Sequence, residues 1–159
     1  MNGKDRTLRA VLCASAIGAA ALLSGCVAVH SSTTASEARV DAPIKTVYHL
    51  TLGLDEAQRA MGNVRNHLAA DPSAKIIVVS NGDGILFQLD GAKDRNGNPF
   101  DAAIQDLKSR GVEFRVCNNT LVQRKIDRGR VIPDVAIVPS GVAEAARLQA
   151  REGFVYLRP

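Results

Sequence analysis

The chain has 159 residues, a formal net charge of +4 and only 4% aromatic residues. This length suits one domain. Six aromatics among scattered basic residues provide neither a stacking platform nor a basic stripe, so no nucleic-acid partner is expected.

The N-terminal end does not read as fold. Lys4, Arg6 and Arg9 precede an almost wholly apolar run from Ala10 to Leu23, which closes on Leu23-Ser24-Gly25-Cys26. The run is short for a membrane span and has the shape of a secretory signal. Its end resembles the bacterial lipobox, in which the cysteine is acylated and becomes the new N-terminus. Residues 1–25 are thus expected to be a lipoprotein signal peptide and Cys26 the lipidation site. The protein would be anchored to the membrane from the periplasm, and Val27 in place of an aspartate leans the sorting toward the outer membrane. Removing 25 residues from 159 leaves 134, enough for one α/β core. Loss of Lys4, Arg6, Arg9 and Asp5 leaves 17 basic against 15 acidic residues, so the net charge falls to +2 and says little about partners.

Three cysteines are present. Cys13 would leave with the signal and Cys26 would become a thioether, which makes Cys117 the one free thiol of the mature chain and rules out an internal disulfide. In an oxidising compartment an unpaired thiol survives if it is buried or used.

Residues 26–43 are rich in Ser, Thr and Ala and aperiodic, the composition of a flexible tether reaching on the order of 20 Å; His30 lies in it. The folded domain is assigned to 44–159. Thr46–Leu52 is strand-like and stops at Gly53. Asp55 is expected to cap a helix that buries Ala57, Ala60, Met61, Val64 and Leu68, with Gln58 completing a capping box and Asp71-Pro72 ending it. Lys75–Ser80 holds the continuous apolar run Ile76-Ile77-Val78-Val79, typical of a strand covered on both faces. The turn Asn81-Gly82-Asp83-Gly84 precedes a short helix over Ile85–Leu89 and a polar excursion over Gly91–Asn98. Asn98 is expected to cap a helix running from Pro99 to Arg110, with Phe100, Ile104 and Leu107 inward and Gly111 as its stop.

Val112–Cys117 alternates apolar residues at 112, 114 and 116 and delivers Cys117 to Asn118-Asn119-Thr120, three residues suited to capping the following helix, Leu121–Arg128. Val135–Val138 forms a fourth strand, Ser140 opens a helix ending at Gly153, and Phe154–Leu157 is a fifth strand. Five strands alternating with helices predict an α/β fold with right-handed crossovers and a mainly parallel sheet. Ligands gather at the carboxyl ends of such strands. That edge nominates Asn81, Gly82, Cys117, Asn118, Asn119, Thr120, Ser140 and Gly141.

At a strand end facing unpaired N–H groups, the Cys117 thiol should ionise more readily than a free cysteine, and Arg115 and Arg124 are candidates to add positive charge. The alternative is a small buried hydrophobe. His49 is either a base for that thiol or a satisfied core histidine, and its neighbours Leu50 and Leu52 favour the core. His67, among polar helix residues, is expected in solvent. No metal or cofactor motif survives inspection: Gly82-Asp83-Gly84 lacks the third glycine of a dinucleotide loop, and the Asp94, Asn96, Asn98 spacing is followed by Pro99 and Gln105 where a calcium loop needs glycine and glutamate.

Val112-x-Phe114-x-Val116-Cys117 with Leu121 and Arg124, the run Val138-Pro139-Ser140-Gly141-Val142-x-Glu144 and the terminal Phe154-Val155-Tyr156-Leu157 together resemble the DsrE/DsrF-like family of sulfur-handling proteins. The likeness spans Lys45 to Pro159. It implies a three-layer α/β/α flavodoxin-like domain that forms homo-oligomers or hetero-oligomers. In some members the cysteine matching Cys117 carries sulfur as a persulfide, so a sulfur-donor protein or small sulfur species is the implied partner. Relay members work in the cytoplasm, whereas this chain looks exported. Two functions therefore stand: a sulfur carrier or thiol-reactive protein acting through Cys117, and a non-catalytic oligomeric binding module in which Cys117 is inert.

Overall fold

The computed structural model describes residues 42–159. The segment expected to be a signal peptide, Cys26 and nearly all of the expected tether lie outside the described residues.

Five parallel strands form one sheet: β1 (Lys45–Leu50), β2 (Lys75–Ser80), β3 (Glu113–Cys117), β4 (Ala136–Val138) and β5 (Val155–Leu157), in the order β4-β3-β2-β1-β5. Four helices connect them: α1 (Leu54–Ala70), α2 (Phe100–Ser109), α3 (Asn118–Gln123) and α4 (Gly141–Glu152). The first four strands step in one direction, so right-handed crossovers put α1, α2 and α3 on one face. β5 returns to the far side of β1, which sends α4 to the opposite face. The result is the three-layer α/β/α flavodoxin-like architecture expected from the alternating pattern.

Strand alternation divides the core accordingly. Tyr48, Leu50, Ile76, Val78, Phe114 and Val116 pack with Ala60, Met61 and Val64 of α1, Ile104 and Leu107 of α2 and Leu121 of α3. Phe87, from a 3-10 turn over Gly82–Gln88, stacks edge-on against Phe100 and Phe114. The α4 face holds a much smaller apolar cluster of Val47, Ile77, Val79, Leu148 and Phe154.

Several local expectations are corrected. The N-cap of α1 is Gly53, at φ 85°, and Asp55 lies in the first turn, ion-paired to Arg95. No side chain caps α1, neither Asp55 nor Gln58; instead Glu56 reaches back to the loop before it, its buried Oε2 accepting from the N–H groups of Thr51 (2.5 Å) and Leu52 (2.6 Å). Asn98 does not cap α2, because Pro99 holds that position and Asn98 closes a turn onto the Asp94 carboxylate. The short helix expected over Ile85–Leu89 is a 3-10 turn that begins at Gly82. His67 is not simply solvated; its Nδ1 lies 3.1 Å from the Tyr48 hydroxyl. The helix after Cys117 starts at Asn118 and stops at Gln123, with Lys125 turning the chain at φ 55°.

Two glycines are required by close approach. A β-carbon on Gly84 would stand 2.2 Å from the Leu50 carbonyl oxygen, so the 3-10 turn can sit on the end of β1 only with glycine there. A β-carbon on Gly141 would stand 3.0 Å from the Ser80 carbonyl oxygen, 3.1 Å from Asn81 Cβ and 3.3 Å from Cys117 Cβ. Glycine at this point lets the start of α4 drop between the carboxyl ends of β2 and β3.

Candidate functional site

Cys117 ends β3 and is itself the N-cap of α3, with extended backbone at φ −74°, ψ 114°. Its side chain shares a face with Arg115 and therefore lies beneath α4. It is 4% exposed and is the one free cysteine among the described residues. Burial pushes its pKa up by penalising the thiolate. The Thr120 hydroxyl and the backbone N–H groups of Gly141, Thr120 and Asn119 act in the opposite direction and prevail, leaving the thiol below its ordinary value.

This donor set comes from two segments, α3 and the start of α4, and a third orients it. Thr120 belongs to the first turn of α3, where its Oγ1 also accepts from the Gly82 N–H at 3.1 Å. The loop after β2 thereby orients the hydroxyl that serves the sulfur. Asn119 N–H also donates to the Pro139 carbonyl oxygen at 3.2 Å, which ties α3 to the loop before α4. Ser140 caps α4, accepting from Ala143 N–H through its Oγ, and so fixes the helix start whose Gly141 N–H meets the thiol.

The arginines do not charge the site as expected. Arg115 lies between Glu113 and Glu144, bonded to both carboxylates, and Glu144 also pairs with Arg147. The Glu144 carboxyl is held below its usual range first by Arg147, then, against burial, by Arg115. Arg124 pairs with Asp83 at 2.5 Å. Both cations are compensated, so stabilisation of the thiolate rests on neutral donors. No group of three or more His, Cys, Asp and Glu side chains is gathered as a metal site among the described residues.

The model of the DsrE/DsrF-like family matches residues 43–158. The chain belongs to the DsrE/DsrF-like family. Among solved structures, a protein of unknown function, MTH1491 from Methanobacterium thermoautotrophicum, is similar at 28% identity and TM-score 0.65, covering 73% of this chain and 99% of its own. The ychN protein from E. coli, at 15% identity and TM-score 0.55 over 72% of this chain and 99% of its own, shares the fold. No curated protein matches the chain.

In this DsrE-family chain the nominated residues separate into three groups. Cys117, Asn119, Thr120 and Gly141 meet at the sulfur, and Gly82 joins through Thr120. Asn81 also flanks Gly141, and it bonds to His49 rather than to the thiol. Asn118 and Ser140 act elsewhere: Asn118 Oδ1 accepts from Arg128 Nε (3.0 Å) and Nη2 (2.6 Å), and Ser140 caps its helix.

His49 is 8% exposed, with Nε2 2.6 Å from Asn81 Oδ1 and Nδ1 3.0 Å from the Tyr156 hydroxyl. Both ring nitrogens are thus partnered, which fits the satisfied core histidine and leaves none for Cys117. Tyr156 was missed in the sequence because it is 107 residues from His49 and meets it only through the β1–β5 pairing, in which Val47 aligns with Tyr156.

Proposed function

We propose that this DsrE-family protein carries sulfur as a persulfide on Cys117. The observation that supports this reading is the donor set around the sulfur, four N–H and O–H groups converging on a thiol whose pKa they lower despite burial. A thiolate is the form that attacks. Cys117 thiolate would attack the outer sulfur of a donor R–S–SH: the donor S–S bond breaks, an S–S bond to Cys117 forms, and R–S⁻ leaves. The product Cys117–S–SH passes its proton to R–S⁻, giving Cys117–S–S⁻ and R–SH with no external oxidant.

The N-terminal pattern supports placing this chemistry at a membrane facing the periplasm, with Cys26 as the lipid-bearing residue. Family resemblance supports a homo-oligomer. The low exposure of Cys117 favours the competing reading, a binding module with an inert thiol.

The test uses the purified full-length protein: alkylation rate against pH, then mass after incubation with cysteine persulfide. The expected result is an alkylation midpoint below the ~8.5 of a free thiol and one added sulfur that Cys117→Ser cannot take up. A thiol that alkylates only after denaturation and gains no sulfur mass leaves the binding module. For the anchor, Cys26→Ala should move the protein out of the membrane fraction; unchanged processing and partitioning would refute lipidation.

A further inference from the structure

A line of hydrogen bonds runs across the α4 face from the β5 edge to the carboxyl end of β2, through Tyr156, His49 and Asn81. The Asn81 amide oxygen can only accept, so His49 Nε2 carries the proton, Nδ1 holds the lone pair, and the Tyr156 hydroxyl donates to it. The line therefore has one direction. It ends at an amide whose oxygen is occupied and whose two N–H donors have no partner among the described residues.

Packing alone does not call for this arrangement. An apolar side chain at position 49 would fill the strand face beside Val47 without needing two polar partners, and a half-satisfied buried imidazole would be destabilising. The line also ends next to the thiol. Asn81 Cβ and Cys117 Cβ lie 3.1 and 3.3 Å from the point where a β-carbon on Gly141 would stand, so both residues flank the same helix start.

We propose that Asn81 binds the outer sulfur of the Cys117 substrate and product, which carries negative charge once it is on Cys117, and that Tyr156 and His49 are positioning residues that turn the amide N–H donors toward it. This rests on Cys117 being the sulfur carrier. The ligand class is sulfane sulfur: the neutral outer sulfur of R–S–SH on arrival and the anion Cys117–S–S⁻ after transfer. Transfer moves the negative charge one S–S bond, about 2 Å, beyond Sγ. The Thr120 hydroxyl and the N–H groups of Thr120, Asn119 and Gly141 act on the Cys117 thiol itself. A donor for the displaced charge has to come from a neighbouring segment, and Asn81 is the flanking residue with unused N–H groups. Tyr156 sets the sense of the amide: without its hydroxyl, His49 can adopt the other tautomer, accept at Nε2 and turn the Asn81 oxygen outward.

The experiment compares full-length parent, Asn81→Asp and Tyr156→Phe. It follows sulfur uptake from cysteine persulfide and the ratio of alkylation rates by anionic iodoacetate and neutral iodoacetamide, at a pH where the thiolate is fully formed. Asn81→Asp should slow sulfur uptake roughly tenfold or more and lower the iodoacetate-to-iodoacetamide ratio, since a donor to an anion becomes a like charge. Tyr156→Phe keeps the ring edge-on to His49 (centroids 5.6 Å apart) and should lower the same ratio roughly threefold with an unchanged melting temperature. A structural role for the hydroxyl would move the melting temperature and spare the ratio. If Asn81→Asp fails to fold, Tyr156→Phe decides. Asn81→Asp acting alone would overturn the positioning roles, and parental rate and ratio in both variants would overturn the assignment of Asn81 while leaving the carrier intact. A parent that takes up no sulfur refutes the carrier reading and this one with it.

Discussion

Toward α1 and α2 the sheet presents Tyr48, Leu50, Ile76, Val78, Phe114 and Val116 to a broad apolar layer; toward α4 it presents Val47, Ile77 and Val79 beside His49, Arg115 and Cys117. The first side is covered by three helices and a 3-10 turn, the second by a single twelve-residue helix. The contrast separates stability from chemistry. Close-packed apolar side chains on one side hold the strands in register, so the other can keep a thiol, an imidazole and an ion-paired arginine under a thin cover. Each of those groups then finds its own partners, Arg115 between Glu113 and Glu144, His49 between Tyr156 and Asn81, and Cys117 within the ring of N–H and O–H donors.

If this division holds, truncating the dry side should damage stability and spare the thiol. Phe114→Ala should cost about 3–5 kcal/mol, as for other buried aromatics, while the alkylation midpoint of the folded fraction stays at the parent's value; denaturant melts and pH-dependent alkylation read the two. A shifted midpoint would show that the two faces are coupled. Gly141→Ala probes the boundary, since its new methyl would meet the Ser80 carbonyl at 3.0 Å. A loss of about 1–3 kcal/mol is expected from overpacking, together with a raised midpoint as the Gly141 N–H is pushed off the sulfur.

Thr120→Val touches only the polar side. Losing one hydrogen bond to a charged sulfur should raise the Cys117 midpoint. The folded-state pKa of Cys117 is depressed, so the unfolded chain binds more protons between that pKa and the ordinary one. Parent stability should therefore rise with pH across this window and lose that contribution as pH falls through the folded-state value. Thr120→Val should flatten the rise, which melts at a series of pH values would detect; an unchanged slope would mean that the hydroxyl does not serve the thiolate.

The smallest stability effect is expected at the β5 edge. Leu157, exposed, can become Lys within about 0.5 kcal/mol. If copies associate through this apolar edge, which also exposes Val155, the variant should elute smaller than the parent at equal concentration. Equal elution would move the interface elsewhere.

Local pattern determined much of this molecule. Strand and helix periods are written in consecutive residues, so five strands, their alternation with helices and the parallel sheet were legible, as was the placing of Cys117 at the end of a strand next to hydrogen-bonding residues. Ser140 and Gly153 were read correctly as start and stop of α4 because capping there depends on near neighbours. The start of α1 was not, because Glu56 reaches back past its own helix to Thr51 and Leu52, an arrangement that the close seating of Gly84 on the end of β1 accompanies.

What tertiary structure alone decided is which distant groups share a face. The sequence showed Arg115 and Arg124 near the thiol, but only packing against α4 and the loop after β2 supplies Glu144 and Asp83 to neutralise them. It likewise showed His49 and Tyr156 as members of two apolar strands, and the return of β5 to the far side of β1 is what brings them together. The reason is physical: periodicity reports how a segment divides its side chains between two faces, whereas the neighbour each face meets depends on strand order, which is set by the competition among all the apolar surfaces at once.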